Sequence, residues 1–226
     1  MFATMSYRSA TEINESMARV YQHMALAVLM SMFVSYYVGT SPELVNFFFT
    51  GIMKWVVIFA PLVAIFGVTI ALNAGPTKTM AQVMLYGFAA LMGLSFATIF
   101  VVYQMGSIFT AFMGAAVLFG TMSFYGYFTK KNLDGLGQFM FVGLIAIIIA
   151  SVINIFIGSS LFAMVISALA IIIFLGLTAY DTQKIREMVS VDTDTGVQEV
   201  SGALTLYLDF INIFLSLLQL FGAKKE

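Results

Sequence analysis

The sequence predicts an all-α membrane protein of seven transmembrane helices, and three observations lead there. Of its 226 residues, 61% are hydrophobic and only 9% charged, against about 25% charged in a soluble domain. No soluble core hides that much apolar surface, so the solvent must be largely lipid. The apolar residues gather into seven stretches of about 18–22 residues, the length that crosses about 30 Å of hydrocarbon. Short polar connectors rich in turn residues separate them.

Residues 1–19 are a polar segment of mixed charge, with Glu12 and Glu15. They lack an apolar core ahead of a small-residue cleavage site, so no removable signal peptide is expected and the first span directs insertion. That span is Tyr21–Val38, closed by Gly39-Thr-Ser-Pro42. Span two, Trp55–Leu72, carries Pro61 mid-way; its ring removes the hydrogen bond to the Val57 carbonyl, which predicts a static kink. Asn73-Ala-Gly-Pro76 ends it. Span three, Ala81–Val102, repeats Ala89, Gly93 and Ala97 at intervals of four. Span four, Ser107–Phe128, follows Gly106 and repeats Thr110 and Gly114 in the same register. Small residues at this spacing let helices approach closely in lipid. Lys130-Lys-Asn-Leu-Asp134 leads to span five, Leu136–Phe156; spans six and seven are Leu161–Tyr180 and Ala203–Leu220. The nearly uncharged connectors near Tyr103–Gly106 and Ile157–Ser160 read as tight hairpin turns. The whole chain, 1–226, reads as one domain.

Basic residues set the expected orientation. With the N-terminus in the cytoplasm, Arg8, Arg19, Lys78, Lys130, Lys131, Lys184 and Arg186 lie inside, and Lys54, Lys224 and Lys225 outside. The excess of inner cations favours N-in and C-out. Trp55, Tyr36, Tyr37 and Tyr103 then fall at the outer ends of spans, and Tyr21, Tyr125, Tyr127 and Tyr180 at the inner ends, as aromatic belts do.

Composition also excludes. A net charge of −1 gives no case for nucleic acid as a partner. Without cysteine there is no disulfide, thiolate chemistry or cysteine metal site. The single histidine, His23, argues against a histidine-built metal site. It titrates near neutral pH, but an interfacial histidine without a role is the simpler reading. No cofactor is expected.

Asp209 carries most of the functional signal. It lies seven residues into span seven, and an ionisable group at membrane depth costs about 2.5 kcal/mol or more, so by default it marks a functional site. Thr205, Asp209, Asn212, Ser216 and Gln219 are spaced by four, three, four and three. At 3.6 residues per turn they share one face about 100° wide. Such a stripe faces protein or water rather than lipid; it either lines a hydrated path or merely bonds helices together. Asp181 closes span six, with Lys184 three residues on as an ordinary ion-pair partner. Both aspartates fall in one cytoplasmic third, Asp209 about 10 Å below the start of its span. A tilt or a longer span six would bring them into contact. Two carboxylates in contact at low dielectric cannot both stay charged cheaply, so they share a proton. Protonated, the pair bridges spans six and seven; deprotonated, its members repel each other and attract a hard cation such as Ca²⁺, for which Asp181 and Asp209 are candidate ligands. Asp192-Thr-Asp-Thr-Gly196 hints at a calcium loop, but its glycine falls one position early and Ala203 stands where the twelfth-position glutamate belongs, so it reads as a solvated turn.

At Tyr180-Asp-Thr-Gln183 and Leu206-Tyr-Leu-Asp-Phe-Ile-Asn212, the chain resembles the Bax inhibitor family, also called the transmembrane Bax inhibitor motif proteins. The resemblance runs the full length, and the second segment is the more specific. It implies a seven-helix bundle with the seventh helix central, a paired-aspartate pH sensor at Asp181 and Asp209, and a calcium-leak activity. It also implies, for some bacterial members, restraint of a membrane-anchored ATP-dependent protease. The short tail suggests a bacterial plasma-membrane member. One feature departs from the family. Bacterial relatives carry an arginine near the inner end of span two that pairs with the aspartates. Here Val68–Lys78 has none, which leaves Lys78, beyond a Gly-Pro turn, as the candidate basic latch.

The leading expectation is therefore a pH-sensitive cation leak, for calcium or protons, gated by the aspartates. A non-conducting regulator of a membrane protease is the alternative. An intramembrane aspartyl protease is remote: the second aspartate sits in Leu-Tyr-Leu-Asp-Phe without flanking glycines, and no Pro-Ala-Leu segment follows. A retinal protein is excluded because span seven holds no lysine for a Schiff base.

Overall fold

A computed structural model describes residues 8–191 and 196–225. Among them the chain forms nine helices and no strand, apart from an isolated antiparallel bridge between Tyr103 and Lys224. Seven spans are long and apolar enough to cross a membrane, one of them made of two helices. Each matches one expected span, so this is an all-α membrane protein.

The first helix, α1 (Ala10–Gly39), is 30 residues long, about 45 Å at 1.5 Å per residue, well over the hydrocarbon thickness. It starts ahead of the apolar stretch, so that Ala10–Arg19 of the polar segment are already helical. The cause is a capping box at Ser9-Ala-Thr-Glu12. The Glu12 amide donates to Ser9 Oγ at 3.3 Å, and the Ser9 amide to Glu12 Oε2 at 2.7 Å. The first connector, opened by the Gly39-Thr-Ser-Pro42 turn signal, goes on into structure that the sequence reading did not describe. It holds a short helix, α2 (Pro42–Phe49), which Pro42 opens at the position where a missing N–H costs nothing.

Helix α3 (Met53–Asn73) runs through Pro61. The Val57 carbonyl that Pro61 strips of its donor accepts a hydrogen bond from Ser95 Oγ at 2.6 Å. Neighbouring hydroxyls commonly repair proline breaks in membrane helices this way, and a satisfied carbonyl fits a static bend. Span three is not one helix: α4 (Lys78–Ser95) stops, the chain turns at Phe96–Ala97, and α5 (Thr98–Val102) follows. The small residues act as their spacing predicts. A Cβ on Gly93 would lie 2.8 Å from Ser31 Cα, and one on Gly39 would lie 2.8 Å from Phe100 Cβ, so α1 and the α4–α5 span meet at backbone distance.

Helices α6 (Met105–Phe128), α7 (Asp134–Ile157), α8 (Ser160–Ser190) and α9 (Val197–Phe221) complete the chain. Gly158, at φ +67°, ends α7 in the left-handed region. Helix α8 runs ten residues past the expected end of span six, and α9 begins six residues early. Half of the membrane window of α9 is buried inside the protein, the largest share of the seven. The chain divides into two compact units: Met1–Tyr103 with Met188–Tyr207 and Lys224–Glu226, and Gln104–Glu187 with Leu208–Ala223.

Candidate functional site

Asp181 and Asp209 both belong to the second unit. The two helix extensions account for their common level. Asp181 lies nine residues before the end of α8, and Asp209 twelve residues after the start of α9. At 1.5 Å per residue these are depths of about 14 and 18 Å from the connected ends. The carboxyl groups meet within hydrogen-bonding reach of each other. Asp209 is 4% exposed, and Asp181 is half-buried. Asp209 Oδ2 is buried without a hydrogen-bond partner, an expensive state for a carboxylate and one that a proton or cation relieves.

The surroundings hold Asp181 in place from the α6 and α7 sides. A Cβ on Gly126 would lie 2.9 Å from Ala179 Cα, so α6 touches the α8 backbone two residues before Asp181. Gly137 of α7 receives the Tyr180 ring, whose Cδ2 would lie 2.5 Å from a Cβ there. Gln183 is bound at both ends, its Oε1 accepting from the Leu133 amide and its Nε2 donating to the Lys131 carbonyl, each at 2.9 Å. The buried hydroxyls of Ser123 and Thr182 face each other at 3.3 Å. Beside Asp209, Phe210 packs edge-on against Phe112 and Phe119.

Lysines go elsewhere. Lys184, the local partner that spacing offered Asp181, pairs instead with Asp134 at 2.7 Å and Glu187 at 2.9 Å. Lys78, the candidate latch, binds Glu199 at 3.2 Å. Its ammonium therefore closes on a carboxylate the sequence reading did not single out. Among the described residues no lysine or arginine pairs with either aspartate.

The polar stripe of α9 divides. Asp209 and Ser216 are buried, Thr205 and Asn212 half-buried and Gln219 exposed. Thr205, Asn212 and Gln219 share the least covered face with Ser201, Leu208 and Leu215; Asp209 and Ser216 lie about 20–40° further round the helix from Thr205. The polar groups on the open face bond their own helix: Thr205 Oγ1 to the Ser201 carbonyl at 3.3 Å and Asn212 Nδ2 to the Leu208 carbonyl at 2.8 Å. His23 lies in the first unit, its Nδ1 2.7 Å from the Tyr86 hydroxyl. Of the calcium-loop hint, residues 192–195 lie outside the described residues.

Two groups were missed from sequence. Glu199, 2% exposed, receives Arg19 Nε at 2.8 Å as well as Lys78. Tyr207, wholly buried, has its hydroxyl 2.7 Å from Ser31 Oγ, which bonds on to the Ala89 carbonyl at 2.7 Å. A glutamate followed by an apolar run was the available signal for the first.

A family model described as "Inhibitor of apoptosis-promoting Bax1" matches residues 13–226. The chain belongs to the Bax inhibitor family. The bacterial relatives that match it cover nearly its whole length. The inner membrane protein YbhL of Escherichia coli K12 is 40% identical over 219 residues, 92% of each chain. An uncharacterized membrane protein of Streptococcus pyogenes is 36% identical over 220 residues, 95% of each. An uncharacterized protein of Rickettsia prowazekii is 34% identical over 216 residues, 93% of this chain and 90% of that one. The aspartate pair of this Bax inhibitor family member falls in the two segments on which the resemblance was first read.

Proposed function

We propose that this protein is a pH-sensitive cation leak of a bacterial inner membrane, passing calcium, with Asp181 and Asp209 as its sensor and gate. The observation that carries the proposal is the carboxyl–carboxyl contact with Asp209 Oδ2 buried and unpartnered. Two charged carboxylates in contact repel, and no nearby cation offsets them, so the closed arrangement is the one in which a proton lies between them. Losing that proton leaves two anions facing each other across α8 and α9. They separate, and the freed oxygens suit a hard cation. Thr205, Asn212, Ser216 and Gln219 then provide polar oxygens and amides along α9 for the ion's passage.

The test is calcium flux into liposomes holding the purified protein, measured across a pH series. Flux should rise with pH. Asp209→Asn, which offers an amide N–H to the Asp181 carboxylate in place of the shared proton, should keep the path shut at every pH. An Asp209→Asn protein with the wild-type pH response rejects the proposal.

A further inference from the structure

Glu199 forms the other charged node of α9, and none of the sequence motifs points to it. It occupies the third position of the helix, is 2% exposed, and receives one cation from each of two other helices: Arg19 Nε of α1 at 2.8 Å and Lys78 Nζ of α4 at 3.2 Å. All three lie in the first unit. The node is braced on both sides. Arg19 Nη2 donates to Ser16 Oγ at 2.9 Å, and Arg8 Nη1 donates to the same oxygen at 2.8 Å. Arg8 also reaches the end of α8, its amide donating to the Ser190 carbonyl at 2.9 Å. On the other side the chain entering α9 crosses the Lys78 stem at Gly196. That glycine has φ +62°, and a Cβ there would lie 2.8 Å from Lys78 Cδ. A side chain there would crowd the lysine stem and strain the backbone. Exposed Glu15 lies 4.0 Å from Arg19, and His23, one turn along α1 from Arg19, is within electrostatic reach of all three groups.

From these contacts we infer that Glu199, Arg19 and Lys78 are an inner clasp, in which Glu199 is a positioning residue that holds the first turn of α9 on α1 and α4 and keeps the path shut independently of the aspartates. The inference rests on the leak reading for its gating role and on geometry alone for the clasp itself. Its parts are unequal in a way that suits the role. The cations are 39% and 42% exposed along their side chains, whereas the carboxylate is 3% exposed. When the clasp opens, arginine and lysine pass to water at little cost, but a buried carboxylate left alone is strongly disfavoured. Opening therefore carries Glu199 outward, and with it the start of the helix that bears Asp209 ten residues on. The lysine that sequence comparison offered as a latch for the aspartates is a latch, but for Glu199.

The discriminating variant is Glu199→Gln in the full-length protein, because it keeps the side chain's shape and removes only the charge that the two half-exposed cations share. Calcium flux in liposomes should rise about tenfold, the factor that about 1.4 kcal/mol of lost closed-state stability produces, at every pH and without moving the midpoint. Glu199→Asp should restore most of the closure. Hydrogen exchange, read in parallel, should show lost amide protection over Val197–Ala203. Lost protection with unchanged flux overturns the gating role and leaves a brace; unchanged protection and flux overturn the clasp altogether. A shifted midpoint would make Glu199 part of the proton sensor and reject its independence. A wild-type protein that conducts nothing sinks the leak reading and the gating role with it, whereas the exchange measurement still decides the clasp.

Discussion

Asp209→Asn is the sharpest perturbation available because it exchanges one heavy atom where the Asp181 and Asp209 carboxyls meet. Suppose both carboxyls ionise without moving apart. Two unit charges about 4 Å apart then repel by about 4 kcal/mol at an effective dielectric constant of about 20. At about 1.4 kcal/mol per tenfold step, that repulsion is able to shift an open–closed equilibrium by almost three decades. In the wild type it is switched on by deprotonation, so calcium entry should climb steeply as pH rises. In Asp209→Asn only Asp181 carries charge, and the new amide donates to it. The repulsion vanishes, and the ratio of high-pH to low-pH flux should collapse to about one. The assay is a calcium-sensitive dye sealed inside liposomes, with external pH stepped and orientation controlled by a tag on one face. The exchange of acid for amide preserves shape, so thermal unfolding in detergent should change little and misfolding will not mimic the result. If the variant retains a pH-dependent flux of wild-type size, the contact between these carboxyls is not what the pH acts on.

Three other outcomes follow from the same geometry. In a double-mutant cycle, Asp181→Asn and Asp209→Asn should be far from additive in flux, since either one abolishes the shared repulsion; additive effects would show that the acids act separately. Gly126→Ala forces a Cβ to 2.9 Å from Ala179 Cα, so it should cost about 1–3 kcal/mol of stability and shift the pH midpoint by displacing Asp181, both measurable by thermal unfolding and flux. Tyr207→Phe removes the 2.7 Å bond to Ser31 Oγ and should cost about 1 kcal/mol in detergent unfolding while leaving the pH midpoint in place.

The spans were legible because the bilayer imposes a length and a composition that few other constraints can override. Their ends were not, because polar residues continue a helix whenever something caps or packs them. Ser9 and Glu12 extend α1 by eleven residues ahead of the apolar stretch, a signature the sequence does display. The extension of α8 beyond Tyr180 depends on contacts with distant residues: Gln183 on Lys131 and Leu133, Lys184 on Asp134, and Arg186 on the Tyr127 carbonyl at 2.9 Å. No local pattern announces those. The break at Phe96–Ala97 is similarly silent, since neither residue is a helix breaker.

At the site, the distinction between what could and could not be read is one of dimension. Helical spacing along one chain places Thr205, Asp209, Asn212, Ser216 and Gln219 on one side of α9, within an arc of about 80°. Which part of that side is covered depends on neighbours: Asp209 and Gln219, about 80° apart round the helix, fall in the core and outside it respectively. Charge pairing is harder still to infer. Proximity in sequence offered Lys184 to Asp181, whereas the fold gives Lys184 to Asp134 and Glu187 and gives Lys78 to Glu199.

The outcome of that pairing bears on what sort of ion site the aspartates would make on the proposed reading. Lys184 pairs with Asp134 and Glu187, and among the described residues no three His, Cys, Asp or Glu side chains form a metal-binding group. Calcium takes about 6–8 oxygens in a site that retains it. Two carboxylates supply four at most, so an ion arriving there must keep much of its water. Weak holding is what a conducting path needs and what a storage site lacks, because an ion has to leave as readily as it enters. On the proposed leak reading, a lysine on either aspartate would cancel the charge offered to a cation, and a third acid would hold the ion more tightly. The corresponding expectation for the deprotonated pair is a calcium affinity in the millimolar rather than the micromolar range, measurable by calcium titration of the purified protein at high pH; micromolar binding would overturn it.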